Sequence, residues 1–196
     1  MKLADVAAVR SGLVLSRKQS QMPTEYRYPL LTLRSIRADG LIDLVEVDSY
    51  SSIEPLDPEY VSHEEDIIIR LSSPYTAVLI DEETSGIVIS SNFVIIRADR
   101  NLILPEYLFW LLNTKHLKRQ IFENTSSNML GAIKPSYFND IEAHSLAITD
   151  QAKIAAMNQL ARKECQLLDQ LSNEKSKLYT ALIDRTQKQM RRGKDQ

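Results

Sequence analysis

At 196 residues and 43% hydrophobic, the chain is long enough to bury one proper core and to carry an appendage besides. Its formal net charge of -2 neither points to nor excludes a nucleic-acid partner. A single cysteine, Cys165, rules out an intramolecular disulfide framework, no Cys/His cluster has metal-ligand spacing, and no apolar run approaches the roughly 18 residues that span a bilayer.

The opening stretch "MKLADVAAVRSG" is broken by Asp5 and Arg10 and lacks the apolar centre of a signal peptide, so the expected location is the reducing cytoplasm. Charge is segregated along the chain. Met1 to Gly40 carries seven basic groups (Lys2, Arg10, Arg17, Lys18, Arg27, Arg34, Arg37) against three acids, whereas Leu41 to Asp66 carries nine acids and no base. Residues 1 to 149 hold 14 basic against 20 acidic groups, and residues 150 to 196 hold 10 against 6. Such segregation suits a protein with one face for phosphate and another for solvent or a basic partner.

The first 148 residues read as strands and turns followed by a helix. "LIDLVEVDSY" follows the turn signal Ala38-Asp39-Gly40, "EDIIIRL" and "TAVLI" flank Ser72-Ser73-Pro74, and "SGIVISSNFVIIRAD" supplies two runs around Ser90-Ser91-Asn92. These predict a twisted, mixed or antiparallel sheet. Pro105 opens a helix, "PEYLFWLLNTKHLKRQIFENT", with Tyr107, Leu108, Leu111, Leu112, Leu117 and Ile121 on one stripe. Lys115, His116, Lys118 and Arg119 crowd its later half, either as a solvated end or as phosphate contacts. A polar loop and a final strand follow, within "SSNMLGAIKPSYFNDIEAHSLAIT".

From Ala147 to Thr186 there is neither glycine nor proline, and Asp150 is placed to cap a helix that starts there. About 34 helical residues make a rod of about 50 Å, longer than a body of this size covers. Ile154, Met157, Ala161, Leu168, Leu171, Leu178 and Leu182 occupy alternating a and d positions of a heptad, with Glu164 at a d site and Lys175 at an a site. In a parallel homodimer these charges would meet their own kind. In an antiparallel homodimer with its two-fold axis between Asp169 and Gln170, Glu164 meets Lys175, Leu168 meets Leu171, Ala161 meets Leu178 and Met157 meets Leu182. A helix folded back on its own domain is the alternative. The antiparallel rod would hold two recognition heads at a fixed separation, as dimeric DNA readers do.

Several stretches, in their order and spacing, resemble one half of the DNA specificity (S) subunits of type I restriction-modification enzymes. "KLADVAAVRSGLVLSRK" is similar to the family's opening lead-in, strand and glycine turn. "EEDIIIRLSS" is similar to its strand after an acidic turn, and "ISSNFVIIRAD" with "LPEYLFWLLNT" to the strand and helix that follow. "LGAIKPSYFNDIEAHSLAITDQAKIAAMNQL" is similar to its closing strand, turn and start of the spacer helix, with Gln151 and Ile154 the best matches. Two positions depart from the pattern: Ala147 and Thr149 fill a stretch that usually carries proline, and Glu65 stands where glycine is common before Asp66.

The resemblance implies an α+β target-recognition domain over 1-148, a spacer and dimerisation helix over 149-186, and a basic tail over 187-196 that is expected to be disordered. Family members usually contain two recognition domains and two spacer helices, so a chain with one of each would dimerise to resemble a full subunit. The resemblance implies no catalysis by this chain. It would bind double-stranded DNA and hold methyltransferase (M) subunits, which supply S-adenosylmethionine and adenine methylation, with a translocase-nuclease (R) subunit as an optional partner in bacterial defence.

Loops at one edge of a sheet can carry base-reading amides and hydroxyls together with phosphate-positioning cations. The DNA-binding candidates are Ser11, Ser16, Arg17 and Lys18 in the first loop, Arg34 and Arg37, then Ser90, Ser91 and Asn92, and finally Ser126, Ser127, Asn128 and Lys134. Ordinary turn chemistry competes at each. Leu160 and Leu167, beside the seam, are candidates for packing on the body or on a methyltransferase helix. A hydrolase built on His63, His116 or His144 lacks a G-x-S-x-G elbow, a phosphate loop or H-E-x-x-H, and Glu64-Glu65-Asp66 resembles a nuclease metal site only superficially. A coiled-coil adaptor or stand-alone DNA-binding regulator without a methyltransferase is the third reading.

Overall fold

The structure, a computed structural model, describes residues 1-125, 133-143 and 146-192. The chain separates into two compact units, Met1–Lys153 and Ile154–Gln196. The first is α+β, as expected. Seven strands form two sheets: β1 (Ala7–Ser11), β2 (Arg27–Leu31), β3 (Asp48–Ser51), β4 (Ile67–Arg70), β5 (Ala77–Leu79), β6 (Val88–Ile89) and β7 (Phe93–Ala98). One sheet is antiparallel with order β1-β7-β4-β5; the other is mixed, with order β3-β2-β6 and a parallel β2/β6 pair.

The central strands explain the stacking. Ile67, Ile68 and Ile69 of β4, and Phe93 to Ile96 of β7, are all buried, the pattern of strands covered on both faces. On one face Ile68, Val78, Phe93 and Ile95 pack with Leu31, Ile36, Ile87 and Ile89 in a core between the sheets. By the two-residue period, Ile67, Ile69, Val94 and Ile96 point the other way, towards α1 (Pro105–Asn113), which packs on β5 and β7. The outer face of the second sheet carries Tyr28, Leu30, Tyr50 and Val88, and is covered by Leu13, Leu15, Leu56, Tyr60 and Val61.

Three local readings change. The helix expected from Pro105 to Thr125 is two helices, α1 and α2 (Lys115–Thr125), because Thr114 is extended (φ -61°, ψ 145°). Its hydroxyl accepts from Leu117 N–H at 3.3 Å and donates to Leu111 O at 2.7 Å, closing one helix and capping the next. In "LIDLVEVDSY" only Asp48 to Tyr50 is strand; Leu44–Glu46 is a 3-10 turn capped by Asp43. The expected final strand is a 3-10 turn, Pro135–Asp140, and then an isolated bridge from Glu142 to Lys2, with Ala143 N–H donating to Met1 O at 2.9 Å.

Glu65, at the position where the resemblance favours glycine, has φ 69°. The left-handed region is the physical demand behind that glycine, and here a glutamate meets it. Its N–H donates to Ile80 O at 2.9 Å and its carboxylate pairs with Arg100 at 2.9 Å. The next residue, Asp66, is 2% exposed and is held by Arg97 through Nε at 2.8 Å and Nη2 at 3.1 Å.

α3 (Ile148–Arg192) is 45 residues long, a rod of about 70 Å. It starts two residues before Asp150, whose carboxylate lies in the first turn and pairs with Lys153 at 2.8 Å. It continues through residues 187-192, so that part of the expected tail is helical.

Candidate nucleic-acid interface

The loops picked from the sequence divide into two groups, and a glycine decides the first. Gly12 lies so close to the end of β6 that a Cβ there would sit 2.2 Å from Ser90 O and 2.5 Å from Ile89 O. The close approach lets Leu13 N–H donate to Ile89 O and Ser91 N–H to Leu13 O, both at 2.8 Å. Phe93 N–H donates to Ser90 O at 3.0 Å, which closes the tight turn between β6 and β7. On its far side Leu71 N–H donates to Asn92 O at 3.0 Å, and Ile133 N–H to Leu71 O at 3.2 Å. This run of backbone bonds brings Ser11, Ser90, Ser91, Asn92 and Lys134 to one edge of the body.

Two further segments reach the same edge. The parallel register ends at Leu31↔Ile89, so the chain leaves β2 at the end of the sheet where Ser90 lies, and Arg34, further along it, is held on the β3 side by Asp48. The turn Ser72 to Tyr75, closed by a 3.0 Å bond from Tyr75 N–H to Ser72 O, adjoins Leu71 and exposes Ser73, which the sequence reading passed over as a simple breaker.

Availability differs sharply along this edge. Ser90 is buried, so its side chain is withdrawn from the set of candidate readers. Ser91 and Asn92 are exposed, and among the described residues their side chains have no hydrogen-bond partner. Ser11 is exposed, with its hydroxyl 3.3 Å from Gly12 O. Arg34 is engaged by Asp48 at 3.2 Å and lies 3.9 Å from Glu46, and Arg37 by Asp39 at 2.9 Å. Exposed pairs like these are weak, about 0-1 kcal/mol, and a phosphate can compete for the arginine. Ser126, Ser127 and Asn128 lie outside the described residues.

Ser16, Arg17 and Lys18 are not brought to this edge. Lys18 O accepts from Ile53 N–H at 2.9 Å and Ser52 Oγ at 3.2 Å, which fixes the segment at the opposite end of β3, about 10 Å away along the strand. Lys18 Nζ binds Glu54 at 2.7 Å, and that hydrogen bond raises its pKa above the ordinary lysine value. Arg17 is exposed with no ion-pair partner among the described residues, as is Arg27 at the start of β2. In α2, Lys115 and His116 are exposed and Arg119 pairs with Glu123 at 2.8 Å, whereas burial pulls the Lys118 pKa down. Among the described residues, no group of three or more His, Cys, Asp or Glu side chains could hold a metal ion, and Asp66 and Glu65 are each committed to an arginine.

The second unit is an amphipathic rod. Met157 is 71% exposed, and Leu168, Leu171, Leu178 and Leu182 are each about half exposed; Ile154 is partly buried, and Ala161, Glu164 and Lys175 are exposed. Leu160, Leu167, Tyr179, Ile183 and Met190 are exposed as well. At 100° per residue all these apolar side chains fall within an arc of about 160°, broader than an a/d seam alone. No described helix is long and apolar enough to cross a membrane.

No protein-family model and no curated protein matches the chain. Solved structures do. The HsdS subunit from Thermoanaerobacter tengcongensis superposes with a TM-score of 0.59 at 14% identity, over 86% of this chain and 38% of that one. A chain from work on complex assembly and conformational transition of the type I R-M system gives 0.57 at 18% identity, over 85% and 43%. The type I restriction-modification S subunit from M. genitalium gives 0.50 at 13% identity, over 84% and 39%. The chain therefore has the fold of type I restriction-modification S subunits. It spans about two fifths of their length.

Proposed function

We propose that the chain is a DNA-recognition subunit of a type I restriction-modification or methylation-only complex, and that it catalyses nothing itself. The observation that carries this is the fold likeness to S subunits, which takes in 84 to 86% of this chain. The polar edge built around Ser91 and Asn92 supports the recognition half of the reading. Two copies pair through α3 as an antiparallel coiled coil in which Glu164 of one faces Lys175 of the other. The broad exposed apolar face supports that pairing, because a helix with such a face is stabilised by covering it. Methyltransferase subunits dock on the dimer and bring S-adenosylmethionine; an R subunit is the optional third component.

The test is to purify the tagged chain from its host and assay the preparation for methyl transfer from S-adenosylmethionine to adenine in DNA of a strain lacking this chain. Chain-dependent N6-adenine methylation is expected. A chain that dimerises and binds DNA but brings no methylation activity would instead be a stand-alone regulator or adaptor.

A further inference from the structure

We infer that the turn between β6 and β7 is the part of the edge that sets sequence specificity, with Asn92 as the residue that selects an adenine and Ser91 as its hydrogen-bonding neighbour. This rests on the DNA-recognition reading above and is independent of the methyltransferase. Three features of the turn carry it.

The backbone is fixed from both sides: Ser91 N–H is held by Leu13 O at 2.8 Å, Asn92 O by Leu71 N–H at 3.0 Å, and Phe93 N–H closes the turn on Ser90 O. Gly12, packed against Ser90 without a side chain, leaves the frame no room to slide. Both side chains are exposed and spend no donor or acceptor within the described residues. A rigid mount with unspent polar groups is pre-organised, so little ordering cost is met on binding.

The chemistry suits base edges better than phosphates. A carboxamide offers a donor and an acceptor side by side, which match N7 and N6 of adenine in the major groove, and a hydroxyl can serve either role. Neither side chain of the turn carries a charge, and of the cations near it Arg34 is held by Asp48 and Glu46, whereas the exposed Lys134 is suited to a phosphate. Arg17, exposed and without an ion-pair partner among the described residues, is the kind of group that positions a phosphate without reading sequence.

The full chain and three variants, Asn92→Asp, Ser91→Ala and Arg17→Ala, are each used to select from a random duplex DNA library. Wild type is expected to enrich a motif containing an A·T pair that Asn92→Asp no longer selects, with preference at that pair falling about tenfold or more, and with cytosine gaining, since a carboxylate accepts from its N4 amino group. Ser91→Ala weakens selection at the same or the neighbouring pair. Arg17→Ala weakens binding across all sequences and leaves the motif as it was. An unchanged motif with Asn92→Asp overturns the inference. So does loss of the whole motif by Asn92→Asp in a protein that melts like wild type, or a wild-type chain that enriches no motif. Absence of a methyltransferase from the purified chain would defeat the functional proposal and leave the library result standing.

Discussion

Gln151 reaches from the first turn of α3 to the first turn of α1: its Oε1 accepts the backbone N–H of Leu104, the residue that caps α1, at 2.8 Å. Its Nε2 donates to Leu146 O at 3.0 Å and lies 3.4 Å from Leu102 O, and the whole side chain is 1% exposed. Leu104 has no side chain with which to cap its own helix, so an amide from 47 residues away does part of that work. This is the physical role of the glutamine named in the resemblance to S subunits. Replacing it with leucine keeps the size but leaves the Leu104 N–H and two carbonyls without their partner. Gln151→Leu should therefore cost about 2-3 kcal/mol, read as a lower denaturant midpoint with an unchanged m-value.

Gly12 tests the frame of the candidate interface. A methyl group there would overlap backbone atoms of Ile89 and Ser90, and backbone cannot swing aside as a long side chain can. Gly12→Ala is expected to lose about 1-3 kcal/mol, the usual cost of overpacking. It should also weaken DNA binding while Ser91 and Asn92 are themselves intact. Wild-type stability in this variant would mean the first loop is not packed on β6 as described.

Glu65 offers a test in the opposite direction. A side chain held at φ 69° costs about 1-2 kcal/mol relative to glycine, whereas its exposed pair with Arg100 returns less than that. Glu65→Gly should raise stability by about 1 kcal/mol, seen as a melting midpoint higher by about 2-4 °C for a body of this size. A fall would mean that Arg100 depends on Glu65 for more than a surface pair provides.

How much of this was legible beforehand follows from the range of the interactions. Runs such as Ile67-Ile68-Ile69 and Phe93 to Ile96 announce buried strands through their own composition, and the absence of glycine and proline after Ala147 announces a long helix. The break at Thr114 was hidden because apolar residues continue on both sides of it, Leu111 and Leu112 before and Leu117 and Ile121 after, with no glycine or proline between them. Leu44 to Glu46 looked like strand because Asp43 caps a 3-10 turn with the residues a strand would also use. The grouping of the loops was not legible, since it depends on Gly12 meeting Ser90 and on Lys18 meeting Ile53, contacts that no local pattern encodes. For the same reason the sequence offered Ser90 as a reader although packing buries it, and passed over Ser73.

The pairing of α3 makes a charge-specific prediction. Lys175→Glu should weaken self-association by setting acid against Glu164, Glu164→Lys should do the same with bases, and the double swap should restore wild-type association. Sedimentation at matched concentrations reads this directly. Failure of the double swap to rescue would exclude the antiparallel register centred between Asp169 and Gln170.

The central claim, that two copies of this chain direct methyltransferase subunits to DNA, is tested most directly by base-resolution mapping of N6-methyladenine in host DNA with the chain present and deleted. The account predicts that a single bipartite, palindromic motif disappears on deletion, the two half-sites reflecting the two-fold axis of the dimer. An unchanged methylation pattern would contradict the claim outright, and loss of an asymmetric motif would contradict the homodimer.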